Sequence, residues 1–198
     1  MANPGPDPTV EDRHYKRIKL DDSACRIEII DTAPSFTDYE ILIDAAVREA
    51  DGFVIAYSVA DPRSFGLVQQ LYNRIVNVKG PSWETSSPGS VVLVGTKSDV
   101  PGSRRVTRFE AQTRAKSLRC RSFECSAKSG DGVAAPFVEL ARALRLMTSY
   151  SEQQEVIQAP PSPSFRTRAQ SMLSGRPVVN NAATMVLSDI HSVRSNPV

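Results

Sequence analysis

Residues 91–99 decide the fold; they read VVLVGTKSD. The first four form an unbroken apolar run, which is typical of a short parallel strand buried on both faces. A second run of this type, FVIAYSV, occupies residues 53–59. Polar residues follow the first run directly, and ligands of open α/β sheets bind at the carboxyl ends of the strands. The segment therefore predicts a buried strand that leads into a ligand-binding loop.

Strand and helix patterns alternate along the rest of the chain. Residues 15–20 and 25–30 alternate polar and apolar side chains around Asp21-Asp22-Ser23, which predicts an antiparallel hairpin. Apolar residues at helical spacing follow in three places. The predicted helices begin at Asp61-Pro62, at Thr107 with Glu110 as a capping box, and at residue 133, and a short strand is predicted at 122–125. This order predicts an α/β fold with a mostly parallel sheet.

Composition limits the class of protein. The chain has 198 residues, of which 40% are hydrophobic and 23% charged, and this suits one globular domain plus a tail. We assign residues 1–150 to the domain and residues 151–198 to a disordered Ser/Pro-rich tail, with weak evidence for a helix near 182–191. A net charge of +2 gives no electrostatic reason to expect nucleic acid binding. The three cysteines are too few and too irregular for a disulfide framework, which favours a reducing compartment.

Four short motifs lie in one order at strand ends or loops. They are DPTVED at 7–12, DTA at 31–33, TKSD at 96–99 and SAK at 126–128. In this order and at these separations they resemble the Ras superfamily of small GTPases, over about residues 7–148. The resemblance implies a P-loop NTPase-like, doubly wound sheet (a Ras-like G domain) that binds GTP or GDP with Mg²⁺.

The resemblance assigns guanine recognition to the third and fourth motifs. Asp99 would accept the N1–H and the 2-amino group of guanine together, as a charge-assisted bidentate pair. The methylenes of Lys97 would lie along the base plane, and the backbone N–H of Ala127 would donate to the guanine carbonyl. The implied set is Thr96, Lys97, Asp99, Ser126, Ala127 and Lys128. Each residue alone could be ordinary turn chemistry, so the assignment rests on the two motifs together.

The first two motifs are implied in metal and partner binding. Asp31 resembles the aspartate that holds Mg²⁺ indirectly, and Thr9 resembles the threonine that senses Mg²⁺ and the γ-phosphate. The implied effector surface is Asp7, Pro8, Thr9, Val10, Glu11 and Asp12. The implied partners are guanine nucleotide and effector and regulator proteins. The chain would be a monomer in the cytoplasm or, through its partners, at the inner plasma membrane.

Three features depart from the family pattern. No G-x-x-x-x-G-K-[ST] loop occurs and only six residues precede Asp7, so we expect an N-terminally truncated domain without the first strand, phosphate-binding loop and first helix. A start codon placed too late would give this result. Pro34 and Ser35 stand where the family has Gly-Gln, so Ser35 occupies the place of the water-orienting glutamine and no catalytic residue is assigned. The tail contains no cysteine, so no prenyl anchor is encoded.

In the family the missing strand lies in the middle of the sheet, in the order 2-3-1-4-5-6. Its loss would leave the strands at 25–30 and 53–59 with open edges that face a gap. Roughly four or five buried side chains at ~2 kcal/mol each amount to about 8–10 kcal/mol, comparable with the whole stability of a domain, ~5–15 kcal/mol. We therefore expect a marginal or partly unfolded chain unless something fills the gap.

Three functions remain open at this point. The first is a Ras-type, guanine-nucleotide-dependent signalling switch, with GTP hydrolysis as the family activity, impaired here by the missing loop. The second is a non-catalytic pseudo-GTPase that serves as an interaction module. The third, an unrelated doubly wound protein such as a response regulator, would need an acidic phosphoacceptor cluster at strand ends and would make the third and fourth motifs coincidental.

Overall fold

The computed structural model describes residues 11–32, 40–100, 102–158 and 182–189. The elements within these ranges are β1 (Glu11–Leu20), β2 (Ser23–Thr32), α1 (Glu40–Glu49), β3 (Gly52–Ser58), α2 (Pro62–Lys79), α3 (Trp83–Ser86), β4 (Val91–Thr96), α4 (Arg108–Ser117), β5 (Arg121–Glu124), α5 (Ala134–Gln158) and β6 (Ala182–Asp189). None of the described helices is both long and apolar enough to cross a lipid bilayer.

The six described strands form one sheet in the order β1-β2-β6-β3-β4-β5. β1 is antiparallel to β2, and every other pair of neighbours is parallel. The carboxyl ends of the five parallel strands therefore lie at one edge of the sheet, together with the amino end of β1. The predicted α/β fold with a mostly parallel sheet is confirmed.

The predicted hairpin is confirmed and is longer than the alternating pattern indicated. β1 and β2 pair along their full length of ten residues each. Asp21 adopts φ of 53° at the turn, a left-handed conformation that aspartate tolerates because its short polar side chain can hydrogen-bond locally. The turn therefore fixes a register that places the start of β1 beside the end of β2.

Apolar side chains from both faces of the sheet are buried under helices. Successive residues of a strand point to opposite faces, so Phe53 and Ile55 of β3 join a core with α1, α2 and α4. Val54 of β3 and Val92 of β4 instead join a second core with α5. All seven residues of β3 are buried, which confirms the interpretation of its unbroken apolar run.

Two helices begin where the capping signals predict. The Asp61 carboxylate accepts the Arg63 N–H at 3.0 Å, and Pro62 opens α2. At α4 the Thr107 hydroxyl accepts the Glu110 N–H at 3.2 Å, and the Glu110 carboxylate accepts the Thr107 N–H at 2.8 Å. Side chains thus satisfy N–H groups that a helix start leaves without intrahelical partners.

Three elements differ from the predicted pattern before the tail. α1 was not predicted. α3 is a single helical turn inside the polar loop predicted at 80–89. α5 continues to Gln158, beyond the predicted end of the domain at residue 150.

The C-terminal strand is the largest difference from prediction. Residues 182–189 form β6, so the helix suggested near 182–191 is wrong over these residues. β6 also lies between β2 and β3, where the sequence predicted open edges facing a gap. Parallel ladders on both sides supply the hydrogen bonds of β6, and this tertiary context overrides a weak local preference for helix. The assignment of the other residues after 158 to a disordered tail stays a prediction.

Candidate functional site

Two loops meet at the carboxyl edge of the sheet. The 96–100 loop follows β4, and the 125–132 loop follows β5. The Ser98 N–H donates to the Cys125 carbonyl at 3.2 Å, and the Cys125 N–H donates to the Gly95 carbonyl at 2.9 Å. The third and fourth sequence motifs are therefore in direct contact, because they follow neighbouring parallel strands.

A side-chain hydrogen bond joins the two loops. The Ser126 hydroxyl donates to the Asp99 carboxylate, and this bond is the main reason that the pKa of Asp99 lies below its ordinary value. Desolvation is the second largest effect and raises that pKa, while the backbone N–H of Asp99 and the charge of Lys128 lower it by smaller amounts. Ser126 is buried and its hydroxyl accepts the Ser129 N–H at 3.2 Å. Asp99 is thus held as an ionised carboxylate, and a carboxylate can accept further donors at once.

Thr96 and Lys97 form the corner at the end of β4. The Thr96 hydroxyl donates to the Tyr57 carbonyl at 3.0 Å, so it ties β4 to β3. Lys97 is exposed and adopts φ of 60°, a conformation that costs a residue other than glycine about 1–2 kcal/mol. Backbone strain of this kind clusters at ligand sites. The roles of Lys97 and Thr96 in base contact stay predictions.

The 125–132 loop is closed by its own backbone. The Ser126 N–H donates to the Asp131 carbonyl at 2.9 Å, and the Gly130 N–H donates to the Ser126 carbonyl at 2.9 Å. Ala127 and Lys128 are exposed at the turn between these bonds. Ala127 and Lys128 therefore follow the buried Ser126 as an exposed turn.

Two glycines allow the loop to return towards β5. Gly130 and Gly132 adopt φ of 83° and 70°, in the left-handed region that favours glycine. A Cβ at Gly132 would overlap the Glu124 carbonyl oxygen, whereas nothing lies within 4 Å of a Cβ at Gly130. Gly132 is therefore required both for its backbone conformation and for its close approach to the strand.

Two arginines that the sequence analysis did not single out hold the end of β5, from which the 125–132 loop begins. Arg104 donates both terminal nitrogens to the Glu124 carboxylate, at 2.7 and 2.9 Å, and Arg108 Nε donates to it at 3.0 Å. The bond from Arg104 is the largest reason that the pKa of Glu124 is lowered, and the bond from Arg108 acts in the same direction. Because Glu124 directly precedes the 125–132 loop, these bonds tie that loop to the segment after Asp99. No local pattern indicated this pairing, since the partners lie twenty residues apart.

The remaining predicted site residues are only partly described. Those outside the described residues are Asp7, Pro8, Thr9, Val10 and Ser35. Glu11 and Asp12 open β1 in register with Thr32 and Asp31, so this end of the hairpin lies at the same sheet edge as the two loops. Within the described residues no group of three His, Cys, Asp or Glu is placed to hold a metal ion. The role of Asp31 in holding Mg²⁺ stays a prediction.

The fold and the paired loops define a class of protein. Helices cover both faces of a mostly parallel sheet, and an ionised carboxylate lies beside a serine-anchored loop at its carboxyl edge. This is the architecture of a P-loop GTPase-like domain. The sequence profile of the Ras family matches residues 3–146, and the chain belongs to the Ras family.

Individual relatives agree with this assignment. Ras-like protein B of Aspergillus fumigatus is 35% identical over 157 residues, which cover 70% of this chain and 65% of the relative. Ras-like protein 1 of Pyricularia oryzae is 34% identical over 152 residues, covering 70% of this chain and 63% of the relative. Ras-like protein rasS of Dictyostelium discoideum is 35% identical over 152 residues, covering 75% of each chain. The chain spans slightly less than two thirds of the length of the first two relatives.

Proposed function

We propose that this chain binds the guanine base through Asp99 and the 125–132 loop and acts as a Ras-type, guanine-nucleotide-dependent switch. The observation that carries the proposal is the contact between the two loops. The Ser126 hydroxyl donates to the ionised Asp99, and the exposed Ala127 directly follows Ser126 in the chain. This contact supports the proposal because recognition of one purine requires a carboxylate and a loop N–H on neighbouring loops.

The chemistry of this pair favours guanine over adenine. Guanine presents N1–H and the 2-amino group as adjacent donors, and an ionised Asp99 can accept both in a charge-assisted pair. Adenine presents an unprotonated N1 and has no 2-amino group, so the carboxylate would face a second acceptor. Donation from the Ala127 N–H to the guanine carbonyl and packing of the Lys97 methylenes along the ring would complete the contacts.

The phosphate side contributes less to the proposal. Mg²⁺, when bound to a nucleotide, neutralises the charge on the β- and γ-phosphates, and Asp31 at the sheet edge is the described residue that would face it. The sequence holds no G-x-x-x-x-G-K-[ST] motif, and Pro34 and Ser35 stand at the family's Gly-Gln positions. We therefore expect affinity to come mainly from the base and hydrolysis to be slow. Effector and regulator proteins would meet residues 7–12, at the cytoplasmic side of a membrane or in the cytoplasm.

Titration with fluorescent guanine, adenine and xanthine nucleotides in the presence of Mg²⁺ tests base recognition. The unmodified chain should prefer guanine, and Asp99→Asn should weaken guanine binding by at least about tenfold. The same substitution should improve xanthine binding, because the asparagine amide can donate to the carbonyl that xanthine carries in place of the 2-amino group. Asp22→Asn is the matched control, since it changes an exposed carboxylate at the hairpin turn, away from both loops. Equal guanine affinities in the two variants would contradict the role of Asp99.

A second candidate function is a non-catalytic interaction module. Pro34 favours it, because proline has no N–H to offer a γ-phosphate. This function predicts no nucleotide binding and no nucleotide-dependent change in binding to a partner. Micromolar or tighter binding of guanine nucleotide in the same titration would exclude it.

A further inference from the structure

Positive charge is concentrated in the segment that contains α4. Residues 102–121 hold seven arginine or lysine residues and one acidic residue, Glu110. The whole chain has 24 basic and 22 acidic residues, so the rest of it holds 17 basic and 21 acidic ones. The Glu110 carboxylate is turned towards the start of its own helix, where it accepts the Thr107 N–H and hydroxyl at 2.8 and 2.7 Å. The segment is therefore basic within a chain whose remainder is acidic.

Several cations of this segment are available to a partner. Arg105, Lys116 and Arg119 are exposed, and none of them forms an ion pair with a described residue. Arg108 and Arg121 each bind one carboxylate, yet their side chains remain 75% and 70% exposed. Clusters of about four to eight basic residues on a helix bind the headgroups of anionic phospholipids. The number of exposed cations around α4 is sufficient for such binding.

An exposed aromatic side chain lies among these cations. Phe109 is 78% exposed, although α4 buries Ala111 and Ala115 on its other side. Residues seven apart lie on one face of a helix, so Phe109 and Lys116 point away from the core together. A single exposed apolar residue is common, but beside unpaired cations it matches the basic, partly apolar face with which helices bind an anionic bilayer.

The fold places this helix away from the hairpin. α4 packs against β4 and β5 at one end of the described sheet, whereas β1 forms the other end. A flat surface that contacts α4 would therefore leave Glu11 and Asp12, at the start of β1, directed away from it. The proposed effector surface and the outer face of α4 can thus be occupied at the same time.

We propose that the outer face of α4 binds a bilayer that contains anionic phospholipid. Arg105, Lys116 and Arg119 would lie at the headgroups, and Phe109 would enter the interface between headgroups and acyl chains. A bilayer fits this face better than an acidic protein segment does, because it offers an apolar layer directly beneath its negative charge. The proposal does not depend on nucleotide binding.

Sedimentation of the full chain with lipid vesicles gives the first test. The chain should bind vesicles that contain phosphatidylserine and should not bind vesicles of phosphatidylcholine alone. Combining Arg105→Gln, Lys116→Gln and Arg119→Gln should weaken binding by roughly 100-fold, because each basic residue near an anionic surface contributes about fivefold.

A second triple variant controls for net charge. Lys16→Gln, Arg17→Gln and Lys19→Gln together remove the same charge from exposed residues of β1, and they should leave vesicle binding within about threefold of the unmodified chain. Equal losses in the two triple variants would mean that net charge rather than the α4 face drives binding. That result, or no binding to the phosphatidylserine vesicles, would overturn the proposal.

Phe109→Ser distinguishes a bilayer from an acidic protein partner. It should weaken binding to phosphatidylserine vesicles by about tenfold, because the apolar ring no longer enters the interface, and should leave binding to soluble polyglutamate unchanged. Leu146→Ser is the control, since Leu146 is a 55% exposed apolar residue of α5. Equal vesicle binding by the two variants, or polyglutamate binding as tight as vesicle binding, would mean that the partner is not a bilayer.

Discussion

Ser126→Ala tests the link on which the candidate site depends. The Ser126 side chain is 1% exposed, and its hydroxyl both donates to Asp99 and accepts the Ser129 N–H at 3.2 Å. Alanine leaves that N–H without its partner, which costs about 1–2 kcal/mol at a partly buried position. With a urea dependence of about 2 kcal/mol per molar, the unfolding midpoint should fall by roughly 0.5–1 M. The bond to Asp99 is left out of this sum because that carboxylate reaches solvent.

The pKa of Asp99 provides an independent measurement on the same variant. Loss of the Ser126 hydroxyl removes the main cause of its lowered pKa, so the value should rise towards 3.8 when the carboxyl is followed by NMR titration. Ser117→Ala is the control, because Ser117 is an exposed serine whose hydroxyl donates to the Arg114 carbonyl at 2.7 Å. If Ser126→Ala matched this control in both unfolding midpoint and Asp99 pKa, the hydroxyl would not join the two loops and the reasoning would fail.

Two further substitutions test the support beneath the loops. Folding lowers the pKa of Glu124 below 4.5. The ionised Glu124 therefore stabilises the folded state above pH 4.5, and this stabilisation is lost as the pH falls through the folded-state pKa. Glu124→Gln should therefore lower the free energy of unfolding at pH 7 by about 1–3 kcal/mol. It should also reduce the difference between the urea midpoints measured at pH 7 and at pH 3. An unchanged difference would mean that the bonds from Arg104 to Glu124 do not stabilise the fold. Gly132→Ala should destabilise by more than the about 1–2 kcal/mol of a left-handed backbone, whereas Gly130→Ala should cost only that amount because its Cβ meets open space. Equal thermal melting temperatures for the two glycine variants would contradict the overlap with Glu124.

Local signals were sufficient to predict those parts of the fold that local physics controls. The apolar run at β3 and β4, the capping box at Thr107 and the hairpin around Asp21 each act within a few residues, and each prediction is confirmed. β6 could not be predicted in the same way. Its eight residues carry no strand alternation strong enough to be recognised, and their conformation is set by two open strand edges more than 120 residues earlier in the chain.

In the candidate site, too, the features set by local sequence were predicted and those set by tertiary contacts were not. The motifs at 96–99 and 126–128 were recognised because each directly follows a strand, and the structure brings them together. The Arg104–Glu124 pair was missed because its partners become neighbours only when β5 is placed beside β4. The Thr96 hydroxyl could not be assigned from sequence either, since its acceptor is the Tyr57 carbonyl on another strand.

The arrangement of these contacts divides the sheet into two parts with different tasks. The bonds that shape the candidate base site join β3, β4 and β5 to the loops beyond them, and none of those described involves β1 or β2. The hairpin that begins with Glu11 and Asp12 is joined to this block within the described sheet by β6 alone. Outside the sheet ladders, Leu20 and Ile27 of the hairpin share a buried core with Leu140 of α5, and an exposed and therefore weak ion pair joins Arg13 of β1 to Glu49 of α1 at 2.7 Å. The one ladder between β6 and β2 and the one between β6 and β3 therefore contribute to how firmly the hairpin is attached to the block that carries the base loops, whereas the bonds from Arg104 to Glu124 lie within that block.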